Sequence, residues 1–167
     1  MSLEWFKGSP EEFRRKIEDP RLFGDPLRNF LGRAVVFLQG LARENAPVDR
    51  GQLSQSITFG VDSSPIPLWG KVGTNKKYAR AMEYGTGALS EKPSAVTDWK
   101  FPTGRELDTW AKRHGFKSGY IVANIIAARG GLAPRRYLRR AFETGKRDIQ
   151  HFMNQAAAEI MRLWRSG

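Results

Sequence analysis

Apolar residues recur at three- and four-residue intervals in two long stretches of this chain, and a short region of alternation lies between them. The first stretch is Leu27, Phe30, Leu31, Ala34, Val35, Leu38, Leu41 and Ala42, with Arg28, Arg33, Gln39, Arg43 and Glu44 on the other side. That spacing predicts an amphipathic helix over 26–44. Asp25 is suited to cap it and Pro26 to open it. Pro47 disfavours helical geometry at Ala46 and closes it. Upstream, residues 10–17 predict a shorter helix with Glu11 and Glu12 in its first turn, where the macrodipole favours them. Pro20 ends that helix and Gly24 marks a turn. The second long stretch is Leu138, Phe142, Ile149, Phe152, Met153, Ala156, Ile160, Leu163 and Trp164. It predicts a helix from Pro134 nearly to the end, with room for a kink at Gly145, where glycine costs about 1 kcal/mol relative to alanine.

Between these stretches the period changes to two. Ile57, Phe59 and Val61 alternate with Thr58, Gly60 and Asp62, while Leu68 and Val72 share a face opposite Trp69 and Lys71. With turn residues Ser63, Ser64 and Pro65 in the middle, the pattern predicts an antiparallel hairpin with strands near 56–63 and 67–74. Residues 78–84 suit a short helix stopped by Gly85. Residues 85–103 form a long loop in which Ala95 to Phe101 suit a weak third strand. The loop holds Ala88, Leu89, Ala95, Val96, Trp99 and Phe101, too apolar for free solvent, yet Gly85, Gly87, Pro93 and Pro102 deny it a continuous element. Such a segment is expected to order on a partner. Thr103 and Glu106 fit a capping box before Leu107, Trp110 and Ala111, and a further helix covers 119–129 before Gly130 and Gly131.

The expected fold is α+β: a small antiparallel sheet against a long helix in the N-terminal half and a long C-terminal helix, with a helical insertion. A single domain over 1–167 is expected. Its parts are an N-terminal arm (1–24), a helix and hairpin (25–84), the long loop (85–103), the insertion (103–131) and the last helix (134–165).

Composition narrows the chemistry. The 167 residues include 10 Phe, 5 Trp and no Cys, and the net charge is +11. The aromatics can build a core. Without cysteine there are no disulfides, thiolate metal sites or thiol chemistry. The positive charge favours acidic partners such as nucleic acid, an anionic membrane or an acidic protein surface. The N-terminal residues lack the apolar centre of a signal peptide, and no segment reaches the ~20 apolar residues of a membrane span. A cytoplasmic protein with no membrane partner is expected.

Candidate catalytic groups are sparse. His114 and His151 fall on different helices and in no metal-binding pair. Gly85-Thr86-Gly87 lacks the remainder of a phosphate loop. The carboxylates Glu83, Asp49, Asp98 and Glu106 show no ligand spacing. Glu83 is expected to cap a turn or pair with a cation rather than serve as a general base. No catalytic, cofactor or metal site is expected. Arg135, Arg136, Arg139, Arg140, Lys146 and Arg147 form a basic cluster, with Arg135/Arg139 and Arg136/Arg140 four apart. Both a solvated face and a stripe touching phosphates or an acidic partner fit that pattern.

Three ordered motifs carry more information. The first is Ala46-Pro47-Val48-Asp49-Arg50-Gly51-Gln52-Leu53, continuing to Ser56-Ile57. The second is Tyr78-Ala79 followed by Glu83-Tyr84-Gly85-Thr86-Gly87. The third is Pro134-Arg135-Arg136-Tyr137-Leu138 followed by Ala141-Phe142. Together they resemble the head–tail joining, tail-completion or neck proteins of tailed double-stranded DNA bacteriophages. Arg50 stands where that family usually has Thr and Tyr137 where it has Phe, and the insertion at 103–131 is longer than in its shortest members. Within the motifs, Asp49 is expected to cap the next turn and Gly51 to permit a reversal.

The resemblance implies a non-catalytic virion protein that forms a six-fold ring in the neck, assembled in the host cytoplasm beside connector and tail-tube proteins. On this reading Trp99, Phe101, Leu89, Glu83 and Gly85 belong to the subunit interface. The arginine cluster would face the DNA channel or an acidic neighbour. A basic module binding duplex DNA through residues 135–147 is the alternative.

Overall fold

A computed structural model describes residues 9–92 and 102–166. Seven α-helices and one two-stranded sheet appear among them. The helices are α1 (Pro10–Glu18), α2 (Pro20–Asn45), α3 (Gln52–Ser56), α4 (Ala79–Tyr84), α5 (Gly104–Arg113), α6 (Gly119–Ala128) and α7 (Tyr137–Ser166). Strands β1 (Thr58–Val61) and β2 (Gly70–Gly73) pair antiparallel, with Phe59 opposite Val72. The fold is α+β, with the long helices where the periodicity puts them. The chain divides into two compact units: Met1–Gly40, Thr58–Gly73 and Thr144–Gly167 make one, Leu41–Ile57 and Thr74–Glu143 the other.

In the first unit, α1 starts at a capping box in which Ser9 and Glu12 exchange backbone and side-chain hydrogen bonds of 2.8 and 3.2 Å. Helix α2 begins six residues earlier than expected. The pair Asp19-Pro20 supplies the same cap-then-proline signal as Asp25-Pro26, and Asp19 accepts the backbone N–H of Arg21 at 2.9 Å. Pro26 therefore sits inside the helix, fully buried. Gly24 is helical rather than a turn, because the helix presses there on the hairpin loop: a Cβ at this position would lie 2.2 Å from the Pro65 carbonyl oxygen.

That loop is shaped by Asp62, whose carboxylate accepts from the backbone N–H groups of Ser64 and Leu68, both at 3.1 Å, and from the Ser64 hydroxyl. The hairpin lies close on α2, since a Cβ on Gly70 would come within 2.6 Å of Val35 Cγ1. Helix α7 meets α2 through Phe37 and Phe152, edge to face at 5.8 Å, and through Arg33, which stacks over Phe152 and donates to Gln155. Its far end receives α1 through an edge-to-face contact of Phe13 with Trp164.

In the second unit the buried apolar residues are Ala42, Ala46, Leu53, Ile57, Ala79, Ala81, Ala111, Val122, Tyr137 and Ala141. Ile57, expected in the first strand, instead closes α3, and Arg43 donates to its carbonyl at 2.9 Å. Helices α5 and α6 form the expected insertion as a close pair. Gly119 permits their approach, because a Cβ there would stand 2.1 Å from the Gly104 carbonyl oxygen.

Helix α7 passes through Gly145 unbroken. Its buried positions in this stretch are Tyr137, Ala141 and Gly145. They recur at intervals of four and lie one residue out of step with the expected stripe. Phe142 is consequently 53% exposed.

Candidate functional site

The second and third motifs meet in one structure. The chain leaving α4 turns at Gly85 (φ +76) and runs beside residues 130–136. Thr86 donates its N–H to Leu132 O at 2.9 Å, and its hydroxyl accepts the Leu132 N–H at 2.9 Å. Ala88 donates to Gly130 O at 2.7 Å, and Arg135 to Met82 O at 2.7 Å. Thr86 is completely buried. Two glycines make the approach possible. A Cβ on Gly131 (φ +133) would lie 1.9 Å from Thr86 O, and one on Gly85 would lie 2.6 Å from Leu132 O.

Glu83 completes this junction. A helix leaves its first N–H groups without intrahelical partners, and Arg136, in left-handed backbone geometry at φ 54, has no short side chain to satisfy them. Glu83 Oε2 accepts the Leu138 N–H at 2.8 Å and Oε1 accepts the Arg139 N–H at 3.0 Å. The carboxylate is buried, 5% exposed, at the positive end of the helix macrodipole. It acts as an N-cap delivered from another helix, and both its oxygens are engaged by backbone donors. Gly85 likewise serves the turn of this junction.

Glu91 holds two of the six basic residues. Its carboxylate accepts from Arg136 Nε at 2.6 Å, from Arg136 Nη2, and from Arg139 Nη1 at 2.9 Å. The Arg136 hydrogen bond, followed by the charges of Arg136 and Arg139, holds the Glu91 carboxyl below its usual range. Arg135 and Arg136 precede α7, so the expected four-residue stacking along one helix does not form. Arg135, Arg140, Lys146 and Arg147 are exposed, and none of them makes an ion pair among the described residues. Trp99 and Phe101, with the suggested strand at 95–101, lie outside the described residues.

The first motif does a different task from the one expected of it. Asp49 does not cap α3, which starts after Gly51 in left-handed geometry (φ +70). Its two carboxylate oxygens instead accept from both terminal nitrogens of Arg113, each at 2.7 Å. That bidentate pair, chiefly its hydrogen bonds, keeps the Asp49 carboxyl below the ordinary value. His114 stacks on Trp110 with ring centroids 4.1 Å apart.

Beside this pair opens a groove of about 1030 Å³, whose apolar lining includes Leu53, Met82, Leu89, Trp110, Val122 and Ile126. Leu89 is 43% exposed there. No cluster of His, Asp and Glu able to hold a metal occurs among the described residues, and no described helix is long and apolar enough to cross a membrane. The sequence placed Thr86 in the second motif without a role and did not single out Glu91. Their partners lie more than forty positions away, and no local spacing marks them.

Residues 11–85 match the model of the family described as "Bacteriophage HK97-gp10, putative tail-component". No curated protein and no solved structure matched the chain. The match takes in the first two motifs through Gly85. The third lies beyond it, tied to the second by Glu83 and Thr86. Over residues 11–85 the chain is thus similar to a family of bacteriophage tail components, in agreement with the resemblance that its motifs carry.

Proposed function

We propose that this protein is a structural component of the phage virion that forms a ring in the neck and joins head to tail. The observation that carries the proposal is the match of residues 11–85 to the tail-component family. Geometry supports it by accounting for the motif residues as architecture: Glu83 caps α7, Gly85 and Gly131 admit close backbone approach, and Asp49 binds Arg113. A head-to-tail contact that closes on itself generates a ring, and six copies are expected from the resemblance. Arg135, Arg140, Lys146 and Arg147 are then available to the DNA channel or to acidic neighbours, with Trp99 and Phe101 toward an adjacent subunit. The neighbours are connector and tail-tube proteins, no cofactor takes part, and the protein resides in the virion.

Disrupting the gene in a phage that carries it tests the proposal. Electron microscopy should show DNA-filled heads and separate tails accumulating, with joining restored by the supplied chain. Joined, infectious particles in its absence would overturn the reading. Steeply salt-dependent binding of duplex by a purified monomer, coupled to normal joining, would favour the DNA-binding alternative instead.

A further inference from the structure

We propose that the apolar groove of the second unit receives an acidic amphipathic segment of another protein. Its interior is unusually apolar for an open surface feature, and Val48, Leu89 and Ile125 stand 77%, 43% and 37% exposed along it. Its rim is cationic. Arg50, Lys77, Arg129 and Arg135 all line it, all are exposed, and none makes an ion pair among the described residues. The two rim carboxylates are already occupied. Asp49 is clasped by Arg113, and Glu106 is bound into the Thr103 capping box, which holds its carboxyl low.

The rim therefore presents four cationic side chains that form no ion pair among the described residues, around an apolar floor. A floor of this kind selects leucine- or phenylalanine-bearing side chains, as grooves that seat amphipathic helices do. A rim of one sign selects the opposite sign in the flanks of the occupant and steers its approach. Duplex DNA satisfies the rim but leaves the floor unfilled, and a bare acidic tail does the same. An amphipathic segment with glutamates or aspartates beside its apolar stripe satisfies both. The inference concerns a partner surface and does not depend on the ring.

The test uses two fluorescein-labelled 16-residue helical peptides with leucines at three- and four-residue spacing. One carries glutamate at its polar positions and the other lysine. Anisotropy with the full chain should show saturable binding of the glutamate peptide and at least tenfold weaker binding of the lysine peptide. Arg129→Glu with Arg135→Glu should weaken the glutamate peptide at least tenfold, and Leu89→Ser about threefold. Lys146→Glu with Arg147→Glu should leave binding unchanged. Lys77→Glu replaces any rim variant whose circular dichroism shows a lost fold.

Equal binding of the two peptides, or indifference to the rim and floor substitutions, overturns the inference. So does displacement of the peptide by a 20-base-pair duplex whose own tighter binding needs Arg129 and Arg135. Self-association abolished by Leu89→Ser would assign the groove to a second copy. Peptide binding that appears only after residues 93–101 are replaced by a glycine–serine linker would assign it to the chain itself. Either result also overturns the inference. Peptide binding and ring formation are read separately, so one can fail without the other.

Discussion

Three helices that start within the second unit begin with the same need and meet it over different distances. At the start of α5, Thr103 accepts from Glu106 N–H three residues on, and the Glu106 carboxylate returns the bond to Thr103. At the start of α6, the Gly119 N–H donates to Asp108, 11 residues back on the preceding helix. At the start of α7, the donors meet Glu83, 55 residues back. The first cap belongs to its own helix and would form wherever that helix forms. The last joins two motifs and exists only when the junction around Thr86 has closed. A local cap stabilises one element, whereas a remote cap fixes the position and rotation of one element on another.

The junction is accordingly the place where a small change should do most damage. Gly131→Ala drives a methyl group into the Thr86 carbonyl and strains a positive φ. The expected loss is about 3 kcal/mol, enough to lower the midpoint of thermal unfolding by roughly 6–12 °C at this chain length. A loss below about 1 kcal/mol would mean that the junction yields and does not fix α7.

Next come the caps. Glu83→Ala leaves two N–H groups unsatisfied in a buried site and should cost about 2 kcal/mol in urea unfolding. Thr103→Ala removes an exposed local cap and should cost about 1 kcal/mol. Equal costs would erase the distinction between the two. Glu83→Gln keeps one acceptor and should fall between them, disturbing assembly or stability and no turnover.

The smallest expected effect separates the charged reinforcement from the cap. Glu91 has a folded pKa below its ordinary value because of Arg136 and Arg139. Its contribution is then fully present above the unfolded carboxylate value and disappears as pH falls through the lowered one. Wild type and Glu91→Gln should therefore differ in stability by a constant amount near pH 7 and converge as pH falls below the ordinary carboxylate value and through the lowered one. Asp49 has its pKa lowered by Arg113 and should behave alike. A difference that persists unchanged into acid would remove the ion pairs from the account.

How much the sequence disclosed follows the same gradient of distance. The box at Thr103 and Glu106, the stop at Gly85, the break at Gly130 and the long periodic helices were legible, since each signal lies within a few residues of its effect. The start of α2 was misplaced because Asp19-Pro20 and Asp25-Pro26 offer the same local signal. The helix takes the earlier of the two and runs through Gly24, which lies close to Pro65, forty-one positions away. In its first turns α7 was read one residue out of step, whereas Ile149, Phe152, Ala156, Ile160, Leu163 and Trp164 do lie on its less exposed side. Phe142 continues the apolar periodicity but is exposed, while Tyr137 and Ala141 are buried. Glu83 was legible as a capping or pairing carboxylate but not as the cap of α7. Asp49 was read as the cap of the next turn, whereas it binds Arg113, 64 positions on.

The reach of the Glu83 contact also has a meaning in time. During synthesis the carboxylate leaves the ribosome 55 residues ahead of the helix end it will cap. At about 10 residues per second, an interval of roughly 5 s separates the two. Throughout that interval Glu83 has no helix to hold, and the chain around it can commit only to its nearer contacts. The two motifs are sealed to each other in a late event, after the α5–α6 pair has been made, so a chain cut short before Leu138 would carry the second motif without its closure.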